Sequence, residues 1–430
     1  MKLFKKIMPL CYATMMLLTG TWGCSSDDGS QTATPDTDNV IRMEPVTLNT
    51  AQILAHANTT NTFAFRLLQA LQQAKGSEKS LAVSPVSLAF ALGMTADSAT
   101  QKVSDEITTL LGFDGDRDEL NNFCKTLLDK SKTTNTDISL YFANAAFFHV
   151  GYVPTEQFKR LADTFYEAET TMLDFNSDTG FDQVNEWVSR KTESMIPQLF
   201  EKPYPKGLVA SVLTNALYFK SGWSSPFDPE RTYGQDFTKS DGSVVSLPFM
   251  HHNDTVPYLE TESYQALRLD YGKGEFSMTF LLPVGESTMS DLLGELNAES
   301  WSRIDAALRG AVNDRQNGEN LPTVSISMPR FKAGDNYELK DILRQMGLTS
   351  AFQSGSLPYL TGDQNLFVTD VLHNTCLEID EEGTVGSAVS AVVVGRGAKQ
   401  IRFTANHPFL YIISESGTGC IYFLGSYVGT

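Results

Sequence analysis

The chain has 430 residues, room for one large domain or roughly two to three ordinary ones. With 41% hydrophobic and 20% charged residues it is composed like an ordinary globular protein, which excludes disorder over most of its length and supplies a sizeable core. Its 33 Lys and Arg against 51 Asp and Glu give a net charge of −18, which repels phosphate backbones and excludes a general nucleic-acid binder.

The first residues read as an address. Lys2, Lys5 and Lys6 precede an apolar run over 7–18, followed by Thr19-Gly20-Thr21-Trp22-Gly23-Cys24. A basic start, a short apolar stretch and small residues describe a secretory signal peptide, and about a dozen apolar residues are too few for a permanent membrane span. Cys24-Ser25-Ser26-Asp27-Asp28 then opens a polar stretch, and the whole is similar to a bacterial lipoprotein, although Trp22 departs from the usual small-residue box. That resemblance implies cleavage before Cys24, acyl chains on its thiol and amine, and a flexible tether, an anchor that needs no spanning helix. The alternative is an ordinary secreted protein with a stray cysteine. The expected division is a signal peptide over 1–23, a lipidated cysteine and tether over 24–50, and a folded domain over 51–430.

Hydrophobic periodicity begins near Ile53. The spacing predicts a helix over 61–74, with Phe63, Leu67, Leu68 and Leu71 on one face. Ser84-Pro85 opens a second, because Ser caps free N–H groups and Pro fits the first turn. Val103, Ile107, Leu110 and Leu111 mark a third, closed by Gly112, and Val184, Trp187 and Val188 a fourth. The period then shifts to two. Phe276, Met278 and Phe280 alternate with Ser277 and Thr279, and Val324, Ile326 and Met328 with Ser325 and Ser327, as in strands with one buried face. Residues 408–413 and 421–425 are apolar throughout and suit strands buried on both faces. No repeat or compositional break divides the domain. Helices mainly early and strands mainly late predict an α+β fold with large, mostly antiparallel sheets.

The catalytic inventory is thin. There is no Gly-x-Ser-x-Gly elbow, Ser-x-x-Lys, His-Glu-x-x-His or phosphate-binding glycine loop. Cys11, Cys24, Cys124, Cys376 and Cys420 are too scattered for a disulfide scaffold or zinc site, and the last three read as buried thiols. His251-His252 points its rings different ways on most backbones, and His407, before Pro408, reads as structural. No catalytic residue, metal site or cofactor is assigned.

The informative segment lies between Glu381 and Asn406. Residues 375–380 alternate like a strand, Glu381-Glu382-Gly383 breaks the pattern, and 384–406 then contain no proline and no acidic residue. Ordinary connections of that length carry both. Thr384, Gly386, Ala388 and Ser390 share one face at period two and are all small; Val385, Val389, Ala391 and Val393 share the other with Ser387. The segment has strand chemistry on a loop-length connection, and its small face can enter a tight slot in a sheet without burying a charge. Read alone, it also fits an ordinary interior strand followed by a Gly-Arg-Gly turn.

Glu381-Glu382-Gly383-Thr384 resembles the hinge of the serpins, the serine protease inhibitor family. Ser84-Pro85-Val86-Ser87, Asn144-Ala145-Ala146-Phe147-Phe148 and Asn185-Glu186-Trp187-Val188 resemble further motifs of that family. So do Asn215-Ala216-Leu217-Tyr218-Phe219-Lys220 with Trp223, Met328-Pro329-Arg330-Phe331-Lys332, Asn406-His407-Pro408-Phe409 and Phe423-Leu424-Gly425, in the expected order over about 51–430. The resemblance implies one domain of three β-sheets and about nine helices, with an exposed reactive-centre loop. It implies a single-use decoy: a serine protease attacks the loop, forms an acyl-enzyme, and is trapped when the cut loop inserts into the central sheet.

By position, the resemblance makes Glu381, Glu382, Gly383, Thr384, Val385, Gly386, Ser387 and Ala388 the hinge. Ser84, Ser87, Asn215 and His373 match the shutter beneath the sheet, and Trp223 the breach where insertion begins. Val385 stands where inhibitors commonly carry an acid and Gly386 where they carry alanine; the inward face stays small, which reads as inhibitory. The family's spacing places the reactive bond at Gly397-Ala398, or one residue earlier at Arg396-Gly397. Arg396 suits a trypsin-like pocket, while the valines and Gly397 suit elastase-like or subtilisin-like ones. The implied partners are serine proteases, with papain-like cysteine proteases as a second class, and the implied state is a monomer. Localisation is expected to be that of an outer-membrane or cell-surface lipoprotein, otherwise periplasmic or secreted. A non-inhibitory binding protein of the same fold is the main alternative; a surface hydrolase finds no motif.

Overall fold

Asn49 starts the first helix. Its side chain accepts the Gln52 N–H and its own N–H donates to Gln52 Oε1, both at 3.0 Å. This reciprocal cap opens α1 (Thr50–Lys75) well before the expected start at Asn61, through a polar stretch that hides the helical period. The computed structural model describes residues 42–135, 137–316, 322–384 and 401–429, without the side chains of 312–316. The readings placed on Cys24, Val385, Gly386, Ser387, Ala388, Arg396, Gly397 and Ala398, and on the signal peptide, lie outside the described residues.

After β1 (Leu81–Val83), Ser84 Oγ accepts the Ser87 N–H at 3.2 Å and Pro85 takes the first position of α2 (Pro85–Ser98), as expected. α2 is buried on almost every side and forms the axis of the helical layer. α3 (Gln101–Leu111) stops at Gly112, which turns left-handed at φ 88°. α4 (Arg117–Ser131) and α5 (Glu156–Tyr166), capped by Asp116 and Thr155, flank β2 (Ile138–His149) and have no counterpart among the expected helices. α6 (Asp178–Lys191), the expected helix around Trp187, lies between β3 (Glu169–Leu173) and β4 (Ser211–Gly222).

Strands dominate the rest of the chain. β5 (Tyr233–Thr238), β6 (Val244–Thr255), β7 (Tyr258–Glu260), β8 (Tyr264–Tyr271) and β9 (Phe276–Pro283) lead to α7 (Met289–Glu295) and α8 (Ala298–Gln316). β10 (Thr323–Pro329), β11 (Phe331–Ala333) and β12 (Asn336–Glu338) precede α9 (Lys340–Gln345) and α10 (Pro358–Thr361). β13 (Leu372–Asn374), β14 (Leu377–Ile379) and β15 (Gly383–Thr384) come next. β16 (Ile401–Thr404), β17 (Phe409–Glu415) and β18 (Ile421–Tyr427) end the fold. Among the described residues no helix is long and apolar enough to cross a membrane.

The strands form a six-stranded sheet in the order β1-β18-β17-β9-β8-β7, a four-stranded sheet β16-β10-β6-β5 and a four-stranded sheet β15-β4-β2-β3. Among the described residues only β2–β3 and β10–β16 pair in parallel, so the α+β, mostly antiparallel expectation holds. Two further two-stranded ladders, β11–β14 and β12–β13, stand apart, so the three expected sheets are observed as five. The cause is specific: among the described residues no backbone ladder joins β4 to β13 or β14. Ten α-helices are found among those residues, eight of seven or more residues, against about nine expected.

Two readings are corrected. β9 is buried on both faces, Ser277 and Thr279 included, because other layers pack on it: Phe276 meets Phe219 of β4, Phe280 meets Phe403 of β16, and α7 lies against the strand. Cys124 and Cys420 are buried thiols, but Cys376, just ahead of β14, is only partly buried, packed against the smaller apolar cluster around Trp187.

β18 is pinned at Gly425, opposite Ala82 of β1 and Tyr411 of β17. A Cβ there would strike the Leu81 carbonyl and the Tyr411 hydroxyl that donates to it at 2.8 Å. Gly425→Ala is therefore expected to lower stability by about 2–3 kcal/mol in urea unfolding, since both neighbours must move.

Candidate functional site

The site is the free side of β4 and the turn that caps it. On one side β4 pairs with β2 from Ile138↔Ser221 to Phe148↔Ser211. On the other, among the described residues, it pairs only with Gly383 and Thr384. β14 runs up to Ile379, and the chain then reverses. The Asp380 N–H donates to the Gly383 carbonyl at 3.0 Å, and Asp380 Oδ1 accepts the N–H groups of Glu382 and Gly383 at 2.9 and 3.2 Å. Gly383 sits at φ 141°, where any Cβ would collide with the Ser221 carbonyl and the backbone of Trp223. The reversed chain then runs antiparallel to β4, with Gly383 opposite Gly222 and Thr384 opposite Ser221.

Side chains lock this turn. Trp223 donates its backbone N–H to the Glu382 carbonyl at 2.8 Å and its indole N–H to the Asp380 carbonyl at 3.0 Å. Its ring stacks on Tyr271, 4.5 Å between centroids and 12° from parallel. The Tyr271 hydroxyl lies 2.7 Å from that of Thr384, whose side chain is fully buried. Burial raises the Tyr271 phenol well out of reach of physiological pH, so it stays neutral and hydrogen-bonding. Glu381, 4% exposed, takes Arg330 Nε at 2.7 Å and Nη2 at 2.6 Å and also accepts the Thr232 hydroxyl. Burial pushes the Glu381 carboxyl up, but Arg330 and Thr232 outweigh it and hold the group below the usual carboxylate range.

Farther down the same edge lies a small cavity lined by Ser87, Leu213, Asn215, Ala216, His373 and Asn374. The Ser84 N–H donates to His373 Nε2 at 3.0 Å, which fixes the proton on Nδ1 and ties α2 to β13. Complete burial lowers the His373 pKa to about 3, so the ring is neutral. Asn215 Nδ2 donates to Asn144 Oδ1 at 2.8 Å, while the buried Asn215 Oδ1 has no hydrogen-bond partner among the described residues.

Ser87, Asn215 and His373 thus line one cavity, with Ser84 bonded to His373, and Trp223 meets Glu381, Glu382, Gly383 and Thr384 at the head of β4. Sequence reasoning missed Tyr271, Thr232, Asp380 and the partner roles of Arg330 and Asn144. Arg330 and Asn144 lie inside quoted motifs; Tyr271 carries no signal beyond its place in a strand. His251 stacks on Tyr233 while His252 turns to Ser225, so the pair diverges, and no metal-ligating cluster of three or more exists among the described residues. Ser225, His252 and Asp254 form no hydrolytic relay. Serine, at 3.0 Å, and carboxylate, at 3.7 Å, both approach Nε2, whereas a relay needs opposite nitrogens.

A family model described as Serpin (serine protease inhibitor) matches residues 58–429. An uncharacterized serpin-like protein of Thermococcus kodakarensis is 30% identical over 86% of this chain and 84% of its own length. Serpin-ZXA of Oryza sativa subsp. japonica is 31% identical over 85% of this chain and 95% of its own. The crystal structure of human thyroxine-binding globulin with thyroxine superposes at a TM-score of 0.78 and 24% identity, covering 88% of this chain and 99% of that one, a likeness of fold.

Two outcomes follow from the geometry. His373 stays neutral when folded but gains a proton below about pH 6.5 when unfolded, so its folded pKa is depressed and stability is lost as pH falls from 6.5. His373→Gln is expected to flatten that loss, worth up to about 3 kcal/mol at pH 4, in urea titrations at several pH values. Glu381→Lys sets an ammonium against Arg330 in a nearly closed site and is expected to cost about 3–5 kcal/mol, with partial recovery in the charge-swapped pair Glu381→Arg/Arg330→Glu.

Proposed function

We propose, since the chain belongs to the serpin family, whose members are mostly protease inhibitors and not enzymes, that it is an irreversible suicide-substrate inhibitor of serine endopeptidases. One observation carries this reading: the chain turns back at Gly383 and enters the open side of β4 antiparallel, with Thr384 buried there. The first step of a new strand is already in place, so insertion extends a ladder rather than nucleating one.

Continuing that register one for one sets residues 385–394 along residues 220–211 of β4. The face shared with Thr384 then carries Gly386, Ala388, Ser390 and Val392, none of them charged. Ser390 falls opposite Asn215, whose Oδ1 lacks a partner, and its hydroxyl supplies the missing donor. Inserted residues add backbone hydrogen bonds to an edge that pairs, among the described residues, only with Gly383 and Thr384, which is the driving force.

A target protease attacks the loop through its serine, forming an ester and releasing the downstream amine. Water normally clears that ester. Insertion of a dozen or more residues at about 3.3 Å each first carries the attached enzyme on the order of 40–50 Å, and distortion of its oxyanion hole stalls deacylation. The reactive bond is Arg396-Gly397 or Gly397-Ala398. Arg396 favours trypsin-like targets and the neighbouring valines elastase-like or subtilisin-like ones, with papain-like cysteine proteases a second class. Hinge, shutter and breach roles follow for the residues that resemble them. The basic and apolar start with Cys24 supports export and a lipid anchor at the outer membrane or cell surface, and the inhibitor acts as a monomer.

Mixing the protein with trypsin and with elastase is expected to give a denaturation-stable complex with at least one, and mass mapping of the cut fixes the bond. Thr384→Arg forces an unpaired charge against Tyr271 and is expected to turn the inhibitor into a substrate, cleaved without complex. Full complex yield from that variant contradicts insertion. Cleavage of the wild type with no complex under any condition favours the non-inhibitory binding protein.

A further inference from the structure

A run of buried polar side chains connects the far end of α2 to β4. Asp97 Oδ1 accepts Asn121 Nδ2 of α4 at 2.9 Å, and Asn121 Oδ1 accepts the phenol of Tyr166, the last residue of α5, at 2.6 Å. The Tyr166 backbone carbonyl accepts Asn144 Nδ2 of β2 at 2.6 Å, and Asn144 Oδ1 accepts Asn215 Nδ2 of β4 at 2.8 Å. Asp97, Asn121, Tyr166 and Asn144 are each at most 3% exposed, so these groups are held by one another rather than by water. Gly93 of α2 makes the route possible, because a Cβ there would strike the Tyr166 hydroxyl.

The Asp97 end is the weak one. Its Oδ2 has no hydrogen-bond partner among the described residues. Arg117 Nε stands 3.8 Å from Oδ1, and Asp118 adds a like charge, both from α4. The Cys124 thiol of α4 and the Tyr166 phenol of α5 also adjoin it, and burial raises both well out of range of titration. Burial raises the Asp97 carboxyl itself to about 7, above what the Asn121 amide and Arg117 pull it down. When ionised, the carboxylate is enclosed with one oxygen unmatched.

We propose that these five residues form a tether on β4 whose grip is set by the protonation of Asp97, so that the edge of β4 loosens as pH rises to neutrality. The closed network keeps a proton that the opened one releases, so closure is favoured at low pH and loses that advantage between the ordinary carboxylate range and about pH 7. The tether belongs to the uncut protein; only its effect on inhibition rests on the insertion reading. His373, at the other side of the cavity, titrates in the opposite sense and only below about pH 6.5, equally in every variant compared.

Hydrogen exchange of the full chain at pH 6 and pH 8, corrected for intrinsic rates, tests this. Opening of β4 peptides is expected to rise by up to about tenfold in the wild type and to stay flat in Asp97→Asn. Asn144→Ala leaves Asp97 titrating but cuts the link, so pH dependence should persist in α4 peptides and vanish from β4. Tyr166→Phe, which keeps the packing and removes one bond of the chain, gives the same split should Asn144→Ala fail to fold. A flat wild-type profile, an Asp97→Asn profile equal to wild type, or unchanged β4 behaviour in the link variants overturns the tether. The rate of complex formation with trypsin at the two pH values, relative to Asp97→Asn, should rise with pH. A total lack of complex at both pH values counts against the inhibitory reading, and exchange still decides the tether.

Discussion

A strand edge presents a donor and an acceptor at every second residue, and inside a protein each one left unmatched costs about 1–3 kcal/mol. β4 meets this demand along its whole length on the β2 side and, among the described residues, at only two positions on the other. The rest of the site is arranged around that asymmetry. The Asp380–Gly383 turn aims the chain at the edge, and Trp223, Tyr271 and Arg330 hold the turn. Below, the Ser84–His373 bond keeps α2 and β13 in place where no ladder to β4 exists among the described residues.

The two ends of the edge are secured by different chemistry. At the head an ion pair and a stacked aromatic pair do the holding, and Arg330 is 44% exposed, so the ion pair is open to screening by salt. At the foot the groups are neutral amides, hydroxyls and a buried, uncharged imidazole, on which ionic strength has little hold.

The break after β14 could be read from residues 375–383, because alternation stops at Glu381; that the chain turns back there onto β4 could not. The Ser84 cap was equally plain, since Ser-Pro at a helix start has one common use. α4 and α5 escaped, although Leu120, Phe123 and Leu127 hold helical spacing, because the polar residues between them dilute the pattern. β9 misled for a physical reason. Ser277 and Thr279 are polar but buried, and only the layers packed on the sheet make that so. Tyr271 and Arg330 meet hinge residues 113 and 51 positions away, and no local pattern announces such a pairing. Family resemblance supplied the roles of the hinge and shutter; the residues alone supplied only a small-faced strand on a long connection.

β17 and β18 lie in the middle of the six-stranded sheet, between β9 and β1, and every residue of β18 is buried. The piece of chain beyond residue 400 is therefore woven into the body rather than hung from it. A break in the backbone just ahead of it divides the polypeptide but not the particle. Such a molecule travels as one object under native conditions and separates into a long and a short fragment only in detergent.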